Sequence, residues 1–278
     1  MCGITAFFAR ESSIDRKHLD TLFSWTEKRG KDGFGFVLIK RNSEGKRTIH
    51  LTYKDIEPYS KCKDYVLNMI QDHDGIEIGD LIIGISRAAP ETEPETDPTR
   101  IDQTLQPIVS TKDGLAVVHN GAVMRRIHQE LIDWAKESEK YQFTTDIDSE
   151  SILAAYIKYN RNMKDTFEYL SGGFASIIYD EVKDMLYVVN DHMQISHGYI
   201  RGLGFFLHSD NDAIGEVIYN YLGATRDGMF IWENFYHHFL DGGAIREIDL
   251  QSGFMRKEKY MPRYIVGDTF DSSVKSKE

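Results

Sequence analysis

The sequence predicts an α+β domain built on mostly antiparallel sheets, and three observations carry that expectation. Short apolar or β-rich runs recur along the chain between turn residues, apolar positions at helical spacing separate them in groups, and the strands precede and follow those groups rather than alternating with them strictly. A chain of 278 residues is also long enough to bury a sizeable core. With 41% hydrophobic, 28% charged and 12% aromatic residues, its composition is that of a folded chain, not a disordered one.

Taken in order, Ile4–Ala9 is a short apolar run that predicts a strand. Ser12-Ser13-Ile14-Asp15 then supplies capping chemistry for a helix with Leu19, Leu22 and Phe23 on one face. Phe34–Ile39 and Thr48–Tyr53 flank the polar stretch Arg41-Asn42-Ser43-Glu44-Gly45-Lys46, the pattern of two strands joined by a hairpin loop. Val66, Met69 and Ile70 predict a second amphipathic helix, and Asp80–Ser86 a buried strand ending at Arg87. Residues 90–100 hold three of the six prolines, with Glu91, Glu93, Glu95 and Asp97 between them, which predicts a long acidic loop of the kind used as a lid or binding loop.

Leu115–Val118 reads as a strand and Ile127–Lys136 as a helix. Ile152, Leu153, Tyr156 and Ile157 recur at helical spacing, so Asp148, Ser149 and Glu150 are expected in that helix's first turn. A short helix over Asp165–Leu170 is broken by Gly172-Gly173. Phe174–Tyr179, Met185–Val189, Phe205–His208 and Ala244–Ile248 follow as short strands. The expected organisation is one domain over residues 1–267 with a polar tail over 268–278.

Composition narrows the function classes. Lys and Arg total 33 against 44 Asp and Glu, a formal charge of -11, and no local basic patch stands out, so direct nucleic-acid binding is not expected. The two cysteines, Cys2 and Cys62, form no C-x-x-C pair, which supports neither a disulfide framework nor a cysteine zinc site and suits a reducing cytoplasmic setting. No apolar run approaches the ~20 residues a membrane span needs, and the start lacks a secretory layout, so no membrane association is expected and the mature N-terminus is placed near residue 1.

Cys2 is the most informative residue. An initiator Met followed by a small residue is a substrate for removal, and its loss leaves a free α-amine on the same residue as a thiol. With reference pKa values of ~7.7 to 8.0 for the amine and ~8.5 for the thiol, the amine can take the thiol proton near neutral pH, directly or through water. The plain alternative is a small residue at a frayed terminus. Its company decides between them. Met1-Cys2-Gly3-Ile4, Arg29-Gly30-Lys31-Asp32-Gly33-Phe34-Gly35, Gly84-Ile85-Ser86-Arg87, Gln106-Pro107, His119-Asn120-Gly121 and Asp148-Ser149-Glu150 occur in that order.

Together these motifs closely resemble the glutaminase domain of class II glutamine amidotransferases, which are N-terminal nucleophile hydrolases. The resemblance runs from Cys2 to Asp249, where Asp241-Gly242-Gly243-Ala244-Ile245-Arg246-Glu247-Ile248-Asp249 looks like the family's closing strand. It implies a four-layer αββα sandwich, with two antiparallel sheets packed face to face and helices outside. It also implies glutamine as substrate, attacked by Cys2, with no metal or organic cofactor.

Each motif has a physical rationale beside a plainer one. Attack on a carboxamide makes a tetrahedral oxyanion, for which Asn120 offers a side-chain N–H and Gly121 a backbone N–H unobstructed by a Cβ. Asn-Gly is equally a turn signal after the Leu115–Val118 strand. An amino-acid substrate needs one fixed cation and one fixed anion. Arg87 and Asp148 suit those roles, although Arg87 could simply close its strand and Asp148 could sit in a helix first turn for the dipole alone. The family's matching Arg near the nucleophile is carried onto Arg29, which otherwise reads as a cation at a helix C-terminus.

Two departures from the family pattern stand out. Ala88-Ala89-Pro90-Glu91-Thr92 opens a longer, acidic stretch in place of the family's short loop over bound glutamine. No acceptor domain follows in this sequence, so a separate synthase or acceptor-domain protein is the expected partner. Two other readings keep the fold: hydrolysis of a γ-glutamyl amide metabolite, or a catalytically silent regulatory subunit. His237-His238, set among Trp232, Phe235, Tyr236 and Phe239, makes a poor metal pair because adjacent side chains diverge.

Overall fold

Which way each strand faces follows from a period of two in side-chain direction, and here both faces of most strands are apolar. The computed structural model describes residues 1–88, 100–191, 193–222, 235–240, 242–253 and 255–260. The elements in chain order are β1 (Gly3–Ala9), α1 (Arg16–Glu27), β2 (Phe34–Arg41), β3 (Arg47–Asp55), α2 (Tyr59–Asp72), β4 (Leu81–Ser86), α3 (Ile101–Thr104), β5 (Ile108–Ser110) and β6 (Leu115–Val123). They continue with α4 (Arg125–Ser138), α5 (Glu150–Lys158), α6 (Met163–Tyr169), β7 (Gly172–Asp180), β8 (Met185–Asn190), β9 (Ser196–Ile200), β10 (Gly204–His208), α7 (Asn211–Leu222), β11 (Phe235–Phe239), β12 (Ala244–Asp249) and β13 (Met255–Lys259).

The strands form a seven-stranded sheet in the order β11-β9-β10-β1-β4-β2-β3 and a six-stranded sheet in the order β13-β12-β8-β7-β6-β5. Every pairing is antiparallel. Three apolar clusters set the layers. Ile4, Ala6 and Phe8 of β1 meet Ala116, Val118 and Ile177 of β6 and β7 between the sheets. The intervening β1 residues, Phe7 and Ala9, turn outward onto Leu19 and Phe23 of α1 and Val217 of α7. Leu115 and Val117 of β6 likewise turn outward onto Leu131 of α4 and Ile152 of α5. The result is the expected αββα sandwich.

Local chemistry accounts for the element ends. Asp15 caps α1 by accepting the His18 N–H at 2.8 Å. Two local readings need correction. Asn120 and Gly121 are not a turn: β6 runs on to Val123, and Asn120 and Gly121 pair with Ala175 and Phe174 of β7. Ladder partners on the longer β7 override the local Asn-Gly preference. Asp148 is not in a helical first turn either, because Ser149 is the N-cap of α5 and Glu150 its first residue. Residues 89–99, with most of the acidic loop, and residues 261–278, with the tail, lie outside the described part.

Candidate active site

β1 is central in its sheet, hydrogen-bonded to β10 on one edge and β4 on the other. Gly3 faces Ser86, so Cys2 lies level with the chain that leaves β4 at Arg87 and Ala88. The Cys2 Sγ accepts the Ala88 N–H at 3.4 Å. Gly3 has to be glycine, since a Cβ there would lie 2.2 Å from the Thr26 carbonyl oxygen at the end of α1. The Thr26 and Ser86 hydroxyls, 2.7 Å apart, join α1 to β4 at the same level.

The segment after α1 is fastened to Arg87 through the backbone. Asp32 N–H donates to the Arg87 carbonyl at 2.9 Å, and Arg87 N–H to that of Gly33 at 2.8 Å. Arg29 sends Nη1 to the Ser209 carbonyl at 2.7 Å and Nη2 to within 3.9 Å of the Met1 Sδ. Ser209 in turn accepts the Ile4 N–H on its hydroxyl at 3.0 Å. Arg29 thus belongs to the frame that holds the start of β1.

The second sheet supplies the opposite wall. Asn120, only 2% exposed, accepts the Cys2 N–H on Oδ1 at 2.9 Å. That contact fixes the amide's orientation, because an N–H requires the oxygen arm. The other arm, Nδ2, is buried and has no hydrogen-bond partner among the described residues. Gly121 has φ +141°, and a Cβ there would lie 1.9 Å from the Gly173 carbonyl oxygen, so no other residue fits without moving β7.

Behind Asn120, the Gln106 side chain accepts the His119 N–H at 2.6 Å and donates to the His119 carbonyl at 3.0 Å, acting as a strand partner just before β5 begins. The buried His119 ring meets the Ser149 hydroxyl through Nδ1 at 2.8 Å and the Gly173 carbonyl through Nε2 at 3.1 Å. A carbonyl only accepts, so Nε2 carries the hydrogen and Nδ1 accepts from Ser149. Burial lowers the imidazole pKa, against the opposing charge of Asp148.

Asp148 accepts the Val123 N–H at 2.6 Å, which ties it to the end of β6 three residues beyond Asn120. Two residues on, Glu150 is a fully buried carboxylate that accepts from the Tyr141 hydroxyl and from the backbone and hydroxyl groups of Thr144 and Thr145. These five donors pin residues 141–145 against the start of α5.

The structure therefore gathers Cys2, Arg29, Arg87, Asn120, Gly121 and Asp148 at one mouth of the sandwich. Sequence reasoning gave no role to Gln106, His119, Ser149 or Glu150, although all four lie in the ordered motifs. Ser209 had no signal, being a lone serine after a strand. Among the described residues no group of three or more His, Cys, Asp or Glu side chains could hold a metal ion. The side chains of His237 and His238 lie outside that description, as does Trp232.

Residues 96–214 match the family profile of the glutamine amidotransferase domain. In fold, the chain is similar to glutamine phosphoribosylpyrophosphate amidotransferase from B. subtilis complexed with ADP and GMP, at 18% identity and a TM-score of 0.64, over 94% of this chain and 49% of that one. It is similar to a structure described as the allosteric regulatory enzyme of purine biosynthesis, at 18% identity and a TM-score of 0.61, over the same shares of 94% and 49%. A glutamine aminotransferase class-II domain protein from Silicibacter pomeroyi matches at 12% identity and a TM-score of 0.51, over 95% of this chain and 100% of that one. The chain spans about half the length of the first two. No curated protein sequence matches it significantly. The domain match and the shared fold bear out the resemblance read from the ordered motifs.

Proposed function

We propose that this chain, with its glutamine amidotransferase domain match and the fold of the class II enzymes, hydrolyses the side-chain amide of glutamine with Cys2 as nucleophile. The observation that carries the proposal is the two-armed placement of Asn120: one arm on the Cys2 nitrogen at 2.9 Å, the other a buried donor with no partner. A buried N–H left unpaired is costly in a resting protein and useful where an oxyanion is to form.

With Met1 removed, the Cys2 nitrogen becomes an α-amine and takes the thiol proton. The thiolate forms a bond to the amide carbon, and the carbonyl oxygen becomes an oxyanion stabilised by Asn120 Nδ2–H and Gly121 N–H. Collapse of this adduct breaks the C–N bond, and the α-ammonium gives its proton to the leaving nitrogen, so ammonia departs and a thioester remains. Water, deprotonated by the same amine, then cleaves the thioester to glutamate and free thiol. Arg87 pairs with the substrate α-carboxylate, Asp148 with the α-ammonium, and Arg29 braces the start of β1. The ammonia is passed to an acceptor-modifying synthase, a separate protein in the cytoplasm.

The test is glutamate release from glutamine by purified chain whose intact mass shows whether Met1 is present. Cys2→Ala is expected to abolish release with the fold intact, and Cys62→Ala to do neither. Retained activity in the Cys2 variant, or full activity in protein that keeps Met1, would end the mechanism.

A further inference from the structure

At the end of the sheets opposite Cys2, the sandwich opens into a cavity of about 240 Å³. The strands fix that placement, because β1 runs from Gly3, next to Cys2, to Ala9, and the antiparallel β4 runs from Leu81 back to Ser86. Arg10 follows β1, Arg41, Glu44 and Arg47 come from the β2–β3 hairpin, Gly79 precedes β4, and Gln251 lies in the β12–β13 turn. Three guanidinium groups line this space against one carboxylate, Glu44, in a chain of formal charge -11.

The three arginines are held differently. Arg47 is buried, with Nε on the Gly79 carbonyl at 2.6 Å, Nη1 on Asp184 at 2.6 Å and Nη2 on the Leu250 carbonyl at 2.8 Å. It forms the floor. Burial pulls its pKa down, Asp184 opposes that, and the neighbouring charge of Arg41 adds to it, so like charge accumulates here. Arg10 and Arg41 are exposed, and neither has a carboxylate within ion-pair distance among the described residues.

Backbone orders both of them without neutralising either. Arg10 donates Nη2 to the Ser252 carbonyl at 3.0 Å, and Arg41 donates Nε to the Gly45 carbonyl at 3.4 Å. Each also lies across a glycine: a Cβ on Gly253 would meet the Arg10 guanidinium carbon at 2.7 Å, and one on Gly79 would meet Arg41 Cδ at 2.5 Å. Both glycines have positive φ, +69° and +97°, so the two residues that let the arginines lie flat are also ones that side chains disfavour.

We infer that this cavity is an anion site whose ligand is a small molecule bearing a phosphate group. Two ordered guanidinium forks without carboxylate partners match a dianion with three acceptor oxygens better than a single carboxylate with two. The volume is roughly that of eight liquid water molecules, enough for a phosphate and a short polar body. The inference does not rest on glutamine hydrolysis.

The test is isothermal titration of the full chain at low ionic strength with inorganic phosphate, ribose 5-phosphate and, as the uncharged control, ribose. Saturable binding of ribose 5-phosphate at one site, with none of ribose, is expected. Arg10→Gln and Arg41→Gln should each weaken it roughly tenfold or more, the loss of a hydrogen bond to a charged group. Arg125→Gln, an exposed arginine on α4 outside the cavity, should leave it unchanged, and glutamate release should be the same in all three variants. Absence of saturable binding, or equal weakening by Arg125→Gln, would overturn the inference. So would tighter binding of a tetraglutamate peptide than of either phosphate compound, which would assign the arginines to a protein carboxylate partner.

Discussion

Removing the Asn120 side chain separates its two arms. In Asn120→Ala the ground state loses one hydrogen bond, the 2.9 Å contact from Cys2 N–H to Oδ1, because Nδ2 has no partner to lose. A net hydrogen bond of this kind contributes ~0.5 to 1.5 kcal/mol, so stability should fall by about 1 kcal/mol. Transition-state stabilisation should fall further, since one lost oxyanion donor costs roughly 10²–10³ in kcat, or ~2.7 to 4 kcal/mol. Asn120→Asp refines the comparison: it keeps an acceptor for the Cys2 nitrogen and deletes the donor. Urea unfolding and steady-state glutamate release would be measured on both variants. Both should lose kcat, the aspartate variant at least as much because its carboxylate also repels the oxyanion and holds the proton on the Cys2 α-amine, while KM changes little, and the alanine variant should still fold. A kcat within about threefold of the parent, or a stability loss above about 3 kcal/mol in Asn120→Ala, would refute the reasoning and make Asn120 a packing residue.

Arg87→Lys and Asp148→Asn should each raise KM for glutamine far more than they lower kcat, because each loses a charge-matched contact to the amino-acid head group; unchanged KM in both would show the clamp is wrongly assigned. Glu150→Ala should destabilise the chain by more than about 3 kcal/mol in urea unfolding, since it leaves several of five donors unpaired, two of them backbone N–H groups of Thr144 and Thr145. His208 is buried, and burial pushes its pKa down to about 4, with Nδ1 accepting the Asp210 N–H at 2.8 Å. The unfolded chain therefore binds the extra proton first, so stability from this group is complete above pH ~6.5 and is lost as pH falls toward 4, on the order of 3 kcal/mol in all. Unfolding midpoints at pH 7 and pH 4.5 check this, and His208→Asn should show the shallower dependence.

Much of this was legible in the sequence because the signals are local or ordered. The apolar runs at Ile4–Ala9, Asp80–Ser86 and Phe174–Tyr179 became strands in the two sheets, and Leu19, Leu22 and Phe23 became the buried face of α1. The short strand Ser196–Ile200 was not legible, since Ser-His-Gly-Tyr-Ile has no alternation and is held by β10 and β11 on either side. The helix Asn211–Leu222 carries Gly215 at mid-length, which weakens its propensity and masks a face that packs Ile214, Val217 and Ile218 into the core. At the site, chemistry-bearing residues were found by type and order. The supporting contacts were not, because a Gln side chain standing in for a strand, or a histidine braced on both nitrogens, exists only once β5, β6 and α5 have met.

The place of β1 in the middle of its sheet also sets a timetable. Its partner on one edge is β10, and Thr5 and Leu207, joined by a hydrogen bond, are 202 residues apart in the chain. At about 5–20 residues per second, a ribosome needs roughly 10–40 seconds to make that interval. Throughout it, the strand that follows Cys2 has an open edge, and Ser209, whose hydroxyl accepts the Ile4 N–H and whose carbonyl holds Arg29, has not yet been made. Synthesis itself thus separates, by tens of seconds, the making of the segment that carries Cys2 from the making of the strand that fixes it in place.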